Sequence, residues 1–264
     1  MSRIMNKIFK FLKLIYRKSR GLSAIVYAVL FILTIFQYLY TAASDPGYLV
    51  DGERDEWLVI GNRKAQKEII NNAYGNNRNL NSKCFNCNIY KPPRSKHCHH
   101  CNKCILQYDH HCPWLNTCIG YGNHCRFWWY LLEETILCFW TFIMFISSYR
   151  TKTSSGLRWR SCIIIICLTL LFFLLFFLVL LLLFHSYLAS TNQTSHEVTR
   201  RKRISEIRDV PLEIHPYSKG CVQNIYYFCC TPQVPYEIQQ IPSLEILKQR
   251  EHHSCMQSLY FNCC

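Results

Sequence analysis

The sequence predicts a polytopic α-helical membrane protein with a cytosolic, cysteine-rich module set between its spans. Three observations carry that reading. Half of the 264 residues are apolar, and they gather in runs too long for a soluble core. Eight cysteines and six histidines crowd between Cys84 and Phe127. Basic residues flank the apolar runs and bring the formal net charge to +14, a pattern that suits anionic lipid headgroups better than a nucleic-acid groove.

Residues 1–20 hold seven basic side chains. Ile4, Ile8, Phe9, Leu12, Ile15 and Tyr16 recur among them at helical spacing, so the segment reads as a basic amphipathic interfacial helix, too short and too charged to span. No small-residue cleavage site follows a compact apolar core, which argues against a signal peptide. Residues 21–44 run uncharged from Arg20 to Asp45 and match the roughly 30 Å hydrocarbon layer as a first transmembrane helix. Residues 45–83 open on the turn-forming Asp45-Pro46-Gly47 and continue as a polar, Asn-rich cytosolic connector.

The cysteine-rich module occupies residues 84–127, and a second span follows over 127–149. Glu133 and Glu134 are expensive at membrane depth, which assigns them to an interfacial turn or a protein-facing side. Residues 150–160 form a short non-cytosolic loop. Residues 161–185 contain CIIIICLTLLFFLLFFLVLLLLF, apolar on every face and so a third span. Residues 186–264 are a cytosolic tail, and no internal repeat is present.

Seventeen cysteines would suit a secreted disulfide scaffold, but CxxC pairs interleaved with histidines have metal-ligand spacing, and thiolate–zinc sites need a reducing compartment. The module therefore faces the cytosol, and the hairpin of spans returns the tail to that side. One span before the module leaves residues 1–20 opposite, against the positive-inside expectation, as do four basic residues in 150–160. Two resolutions stay open: a further span precedes this N-terminus, or residues 1–20 fold back along the membrane surface.

Zinc takes four Cys or His ligands in tetrahedral geometry. Cys84/Cys87 and Cys98/Cys101 are CxxC knuckles, each half a site. His97 and Cys98 are adjacent, point apart and serve different metals. The economical partition gives Cys84, Cys87, His97 and Cys104 to one zinc and Cys98, Cys101, His111 and Cys118 to the other. Both are closed, structural sites, and the region is a two-zinc module rich in short β-hairpins. So small a module buries little apolar surface, so the metals must hold it together. His99 and His100 are left to solvent or substrate. A RING ligase would need a closing CxxC pair, whereas here the ligands end at the single Cys118.

Asp109-His110-His111-Cys112 supplies chemistry. With His111 on a metal, His110 and Cys112 share the other side of an extended segment. An imidazole beside a thiol takes its proton, and a carboxylate orients that imidazole. Cys112 is the candidate nucleophile, His110 the base and Asp109 the orienter.

The run Cys-x2-Cys-x9-His-Cys-x2-Cys-x2-Cys-x4-Asp-His-His-Cys-x5-Cys-x4-Asn-x3-Phe resembles the cysteine-rich domain of the DHHC protein S-acyltransferases. Asp45-Pro46-Gly47 is similar to the family's DPG motif. Thr194-Ser195-His196-Glu197 is similar to its TTxE motif, with a serine hydroxyl in place of the second threonine's. The segment from Gly220 to Phe228, with Asn224, resembles its C-terminal motif, although Cys229-Cys230 stand where Phe-Gly is usual. Cys125-Arg126 departs from the family's basic–aromatic order.

The resemblance implies an integral membrane enzyme of the endomembrane system, in Golgi, ER or plasma membrane. It also implies two structural Zn2+ ions and palmitoyl-CoA or another long-chain acyl-CoA as co-substrate. Membrane-associated proteins with cytosolic cysteines receive the acyl group through an acyl-Cys112 intermediate. The expected partners are acyl-CoA, protein substrates and the bilayer, not nucleic acid. The rival reading is a zinc-stabilised membrane adaptor without catalysis.

A bilayer setting suits the chemistry, because burying each CH2 of an acyl chain contributes about 0.8 kcal/mol. Pro113-Trp114 would sit at headgroup level. Arg94, Lys96 and Lys103 either attract CoA phosphates or form a solvated basic surface. The basic run Arg200–Arg203 either helps to select protein substrates or forms a lipid contact. Cys229-Cys230 and Cys263-Cys264 are candidate lipidation pairs. The sequon Asn192-Gln193-Thr194 is expected to stay unmodified on the cytosolic side.

Overall fold

The computed structural model describes residues 20–49, 83–151, 158–230, 241–242 and 245–247. The expected interfacial helix, most of the connector and the Cys263-Cys264 pair lie outside these residues. Contacts divide the chain into two units: the described parts of 1–40 and 129–182, and those of 41–128 and 183–264.

Three helices among the described residues are long and apolar enough to cross a membrane: α1 (Arg20–Ala43), α2 (His124–Thr151) and α3 (Arg158–Thr191). In hydrocarbon every backbone N–H and C=O needs an internal partner, which a continuous helix provides. Threonine hydroxyls in these runs do the same, donating to the carbonyl four residues back. Thr34 reaches Leu30 (2.9 Å), Thr135 reaches Leu131 (2.7 Å) and Thr141 reaches Leu137 (2.8 Å). In the first unit α1 meets α2 where the Tyr27 hydroxyl lies 2.9 Å from Thr141 Oγ1 and the Tyr27 and Tyr38 rings stand against Trp140 and Tyr130. The Cys138 thiol faces the Leu171 carbonyl of α3. Large apolar side chains such as Ile32, Phe36, Leu170 and Phe173 point outward, as they must where lipid is the solvent. Glu133 and Glu134 are half-buried within α2.

Among the described residues the second unit holds seven strands of two or three residues. They are β1 (Tyr48–Leu49), β2 (Lys83–Cys84), β3 (Ile89–Tyr90), β4 (Lys96–Cys98), β5 (Lys103–Ile105), β6 (His110–Cys112) and β7 (Thr117–Ile119). All pairings are antiparallel: β1-β5-β4 form one sheet, and β2-β3 and β6-β7 form two hairpins. Four of the tight turns place Asn88, Asn102, Gln107 and Asn116 at positive φ, which asparagine tolerates better than most residues. Ile89, Ile105, Ile119 and the sulfurs of Cys104 and Cys118 make the small core. Among the described residues α3 is followed by the short helices α4 (Ser195–Arg200) and α5 (Cys221–Cys230), with a 3-10 turn at Arg201–Arg203 between them.

Asp45-Pro46-Gly47 does more than turn the chain. Asp45 Oδ1 accepts from the backbone N–H of Gly47 (2.8 Å) and Tyr48 (2.9 Å), and Gly47 sits at φ +95°. The Pro46 carbonyl accepts from Gly122 N (3.2 Å), and the Gly47 carbonyl accepts from Leu106 N (2.9 Å). The two backbones approach so closely that a Cβ on Gly122 would meet the Asp45 carbonyl oxygen at 2.3 Å. That contact is with backbone, so it cannot be relieved by rotating a side chain. Gly122→Ala should therefore lower stability by about 1–3 kcal/mol, read as a drop in thermal midpoint in detergent. Gly220→Ala, at φ +99° with nothing within 4 Å of its Cβ, isolates the backbone cost at about 1 kcal/mol.

Candidate active site and metal centres

Strand register assembles the metal clusters. His97 and Cys104 are directly opposed on β4 and β5, and His111 and Cys118 on β6 and β7. Each CxxC knuckle then adds two sulfurs. The structure brings together Cys84, Cys87, His97 and Cys104, and separately Cys98, Cys101, His111 and Cys118. His97 Nδ1 lies 3.5, 3.2 and 3.8 Å from the sulfurs of Cys84, Cys87 and Cys104. His111 Nδ1 lies 3.4 and 3.5 Å from those of Cys101 and Cys118. Tetrahedral bonds of about 2.3 Å to sulfur and 2.0 Å to nitrogen separate S and N ligands by about 3.5 Å, so the donors fit a metal of that kind. Burial and neighbouring thiols push the Cys104 and Cys118 thiols well up; a bound cation would reverse that. The described cysteines are free thiols. His99 and His100 are exposed, each with its ring against a ligand-set histidine, His97 and His111.

The period-2 alternation of β6 turns His111 to the metal side and His110 with Cys112 to the other. His110 Nδ1 is 2.6 Å from Asp109 Oδ2, and the Cys112 thiol lies close enough to the same imidazole for each to shift the other's pKa. Asp109 is 1% exposed. Burial alone would raise its pKa, but the imidazoles of His124 and His110 outweigh that and hold the carboxyl well below its usual range. Burial likewise disfavours the His110 cation, yet contact with Asp109 and Cys112 keeps its pKa raised to about 9. Burial opposes the Cys112 thiolate, while His110 and the Leu115 N–H favour it; the net shift is downward.

Ser195 closes on Asp109 from the far end of the chain. Its N–H donates to Asp109 Oδ1 (2.6 Å) and its hydroxyl donates to Oδ2 (2.9 Å). Helix α4 holds Ser195 there through a capping box. Thr194 Oγ1 accepts from Glu197 N, and Glu197 Oε2 accepts from Thr194 N. Glu197 is in turn gripped by Arg94, whose Nε and Nη2 donate at 2.7 and 3.0 Å while Nη1 reaches Asn192 Oδ1 at 3.0 Å. Arg94 was expected on a basic surface facing phosphates or solvent; instead its side chain is 1% exposed and spent on this pair. Arg201 departs from the exposed basic run expected for substrate or lipid in the same way: it is buried and donates to the carbonyls of Pro211 and Ile214.

Two histidines escaped the reading of sequence. His124 Nε2 lies 3.8 Å from Asp109 Oδ1 and 3.3 Å from His185 Nδ1, and His185 also stands against the rings of His110 and Phe127. His185 carried a signal, since an ionisable residue at the end of an apolar run is a site candidate by default. The C-terminal motif joins here as well. Asn224 Nδ2 donates to the Ser190 carbonyl (2.7 Å), and the Phe228 ring packs edge-on against His124. Trp114, two residues beyond Cys112, is 82% exposed.

A family model described as DHHC palmitoyltransferase matches residues 77–202. Protein S-acyltransferase 10 of Arabidopsis thaliana is 39% identical over 276 aligned residues, covering 90% of this chain and 79% of that protein.

The chain belongs to the DHHC palmitoyltransferase family.

The palmitoyltransferase ERF2 of Kluyveromyces lactis is 35% identical over 64% of this chain and 48% of its own length. Its counterpart in Schizosaccharomyces pombe is 28% identical over 79% and 63%. The reaction of this family member is acyl transfer to protein cysteines, the reading the alternative of a non-catalytic adaptor does not share.

Because Arg94 and Glu197 are both buried, removing one leaves the other uncompensated. Arg94→Ala should cost about 3–5 kcal/mol, measured by thermal unfolding in detergent. The double variant Arg94→Met/Glu197→Leu should lose clearly less than the sum of the single losses.

Proposed function

We propose that the chain transfers a long-chain acyl group, palmitoyl in the first instance, from acyl-CoA to cysteine thiols of membrane-associated proteins through an acyl-Cys112 intermediate. What carries the reading is one series of side chains: Ser195 hydrogen-bonded to Asp109, Asp109 to His110, and His110 acting on the Cys112 thiol to favour its thiolate. In the first step the Cys112 thiolate attacks the thioester carbonyl carbon. The C–S bond to CoA breaks, and the departing CoA sulfur takes the proton held by His110. In the second step His110 accepts the proton of the substrate thiol, whose sulfur attacks the acyl-Cys112 carbonyl and releases Cys112 as thiolate. Asp109 stabilises the imidazolium that both steps use. Ser195 positions Asp109 without touching a reacting atom.

Cys84, Cys87, His97 and Cys104 would hold one structural Zn2+, and Cys98, Cys101, His111 and Cys118 the other. They serve as scaffold, fixing β4, β5, β6 and β7 around the nucleophile. We assign residues 84–127 to the zinc module, 21–44, 127–149 and 161–185 to spans, and 186–264 to a tail on the module's side. The cytosolic face of an endomembrane, Golgi or ER in the first instance, suits thiolate ligands and a cytosolic thioester. The sequon supports that orientation: the Asn192 side-chain amide already donates to the Tyr217 carbonyl and accepts from Arg94, so a glycan would break the clamp on Glu197.

Purified protein incubated with a labelled palmitoyl-CoA analogue should acquire a hydroxylamine-sensitive label that Cys112→Ser abolishes. An unlabelled, folded, zinc-replete wild type would sink the catalytic reading. Ser195→Ala should slow labelling about 10- to 100-fold, the worth of one hydrogen bond to a charged group; Ser195→Thr restores the hydroxyl and most of the rate. Because the Cys112 pKa is lowered, the thiolate survives as pH falls below the ordinary thiol value of about 8.5. Iodoacetamide alkylation of Cys112 should therefore show a midpoint below that value, and Asp109→Asn should move it upward.

A further inference from the structure

We propose that Asp109, His110 and His185 form a third metal site, which takes a borderline divalent transition cation such as Zn2+ or Co2+ and switches off acyl transfer when filled. The second half of that statement rests on the acyl-Cys112 mechanism; the first does not. The carboxylate oxygen and the two imidazole nitrogens all lie within 4.8 Å of one another. Asp109 and His185 are 1% and 2% exposed, so water does not compete freely for these donors.

The cluster is also braced from outside, as metal ligands are. Ser195 donates twice to the Asp109 carboxylate, at 2.6 and 2.9 Å. His124 Nε2 stands 3.3 Å from His185 Nδ1 and 3.8 Å from Asp109 Oδ1. Such outer contacts orient a ligating carboxylate and imidazole and so reduce what a cation must reorganise on binding.

The donor set separates this cluster from the other two. Those are sulfur-rich and closed by four residues. This one offers two nitrogens and one oxygen and leaves a coordination position for water, a set suited to Zn2+ or Co2+ and poorly suited to Mg2+ or Ca2+, which prefer oxygen throughout. A cation held by Asp109 and His110 replaces the 2.6 Å hydrogen bond between them. His110 then loses the partner that orients it and stabilises its cation. Both acyl-transfer steps need that imidazole to carry a proton, so both stop, while Cys112 itself stays uncoordinated.

The test uses the full-length, zinc-replete protein in detergent with added Co2+. Metal analysis after equilibrium dialysis should find one equivalent beyond the two structural metals. Its visible spectrum should lack sulfur-to-cobalt charge transfer. Labelling of Cys112 by the palmitoyl-CoA analogue should fall at least about tenfold and return when a mild chelator strips the added metal. His185→Gln should keep two zinc equivalents, lose the extra one and make whatever labelling it retains indifferent to Co2+.

A wild type that binds nothing beyond two equivalents overturns the site, as does a His185→Gln variant that binds the extra equivalent unchanged. Should that variant misfold, sulfur charge transfer in the wild-type spectrum overturns it equally. An extra equivalent with undiminished labelling overturns the inhibition. Absence of label before any Co2+ is added would instead fault the acyl-transfer mechanism, and the metal count would still decide the site.

Discussion

The alternation of side chains along a β-strand is the constraint on which the second unit depends. At β6 it sends His111 to one face and His110 with Cys112 to the other. At β4 it sends His97 into one cluster and Cys98 into the next. A three-residue strand of this kind has almost no stability of its own. Its register decides which side chains join which cluster: a slip by one residue would take His111 away from Cys101 and Cys118 and His97 away from Cys84, Cys87 and Cys104. The register that assembles the two Cys/His clusters therefore also sets Cys112 beside His110.

Around that strand the polar groups are ordered by strength of confinement. The Arg94–Glu197 pair fixes helix α4, the capping box fixes Thr194 and Ser195, and Ser195 fixes Asp109. Each link is a charge-assisted or capping hydrogen bond in a buried setting, where leaving a partner unsatisfied costs more than the bond itself contributes. A serine at position 195 keeps this order, because the link is made by a backbone N–H and a hydroxyl rather than by a methyl group.

Local pattern made much of this legible in the sequence. Apolar run length marks the helices, CxxC spacing and the His97–Cys98 adjacency mark the two clusters that the fold assembles, and Asp109-His110-x-Cys112 marks a thiol beside an imidazole. What escaped is non-local. Arg94 looks like a surface cation until Glu197 and Asn192 are found beside it. His124 and His185 lie 61 positions apart, and no spacing rule links them. The close approach of Gly122 to Asp45 is equally hidden, since glycine in a turn is common and says nothing of what lies against it.

The separation between partners also orders the making of the protein in time. Ser195 reaches Asp109 across 86 positions and Glu197 reaches Arg94 across 103. On a ribosome, a chain that has completed the cysteine-rich stretch holds Cys112, His110 and Asp109 but lacks His185, Ser195 and Glu197. The thiol is present long before its orienter is locked. A nascent or truncated chain ending before residue 195 thus carries Cys112 and His110 with an Asp109 carboxylate held by neither Ser195 contact. Maturation of the site is a late event in synthesis, governed by emergence of the segment that follows the last apolar helix.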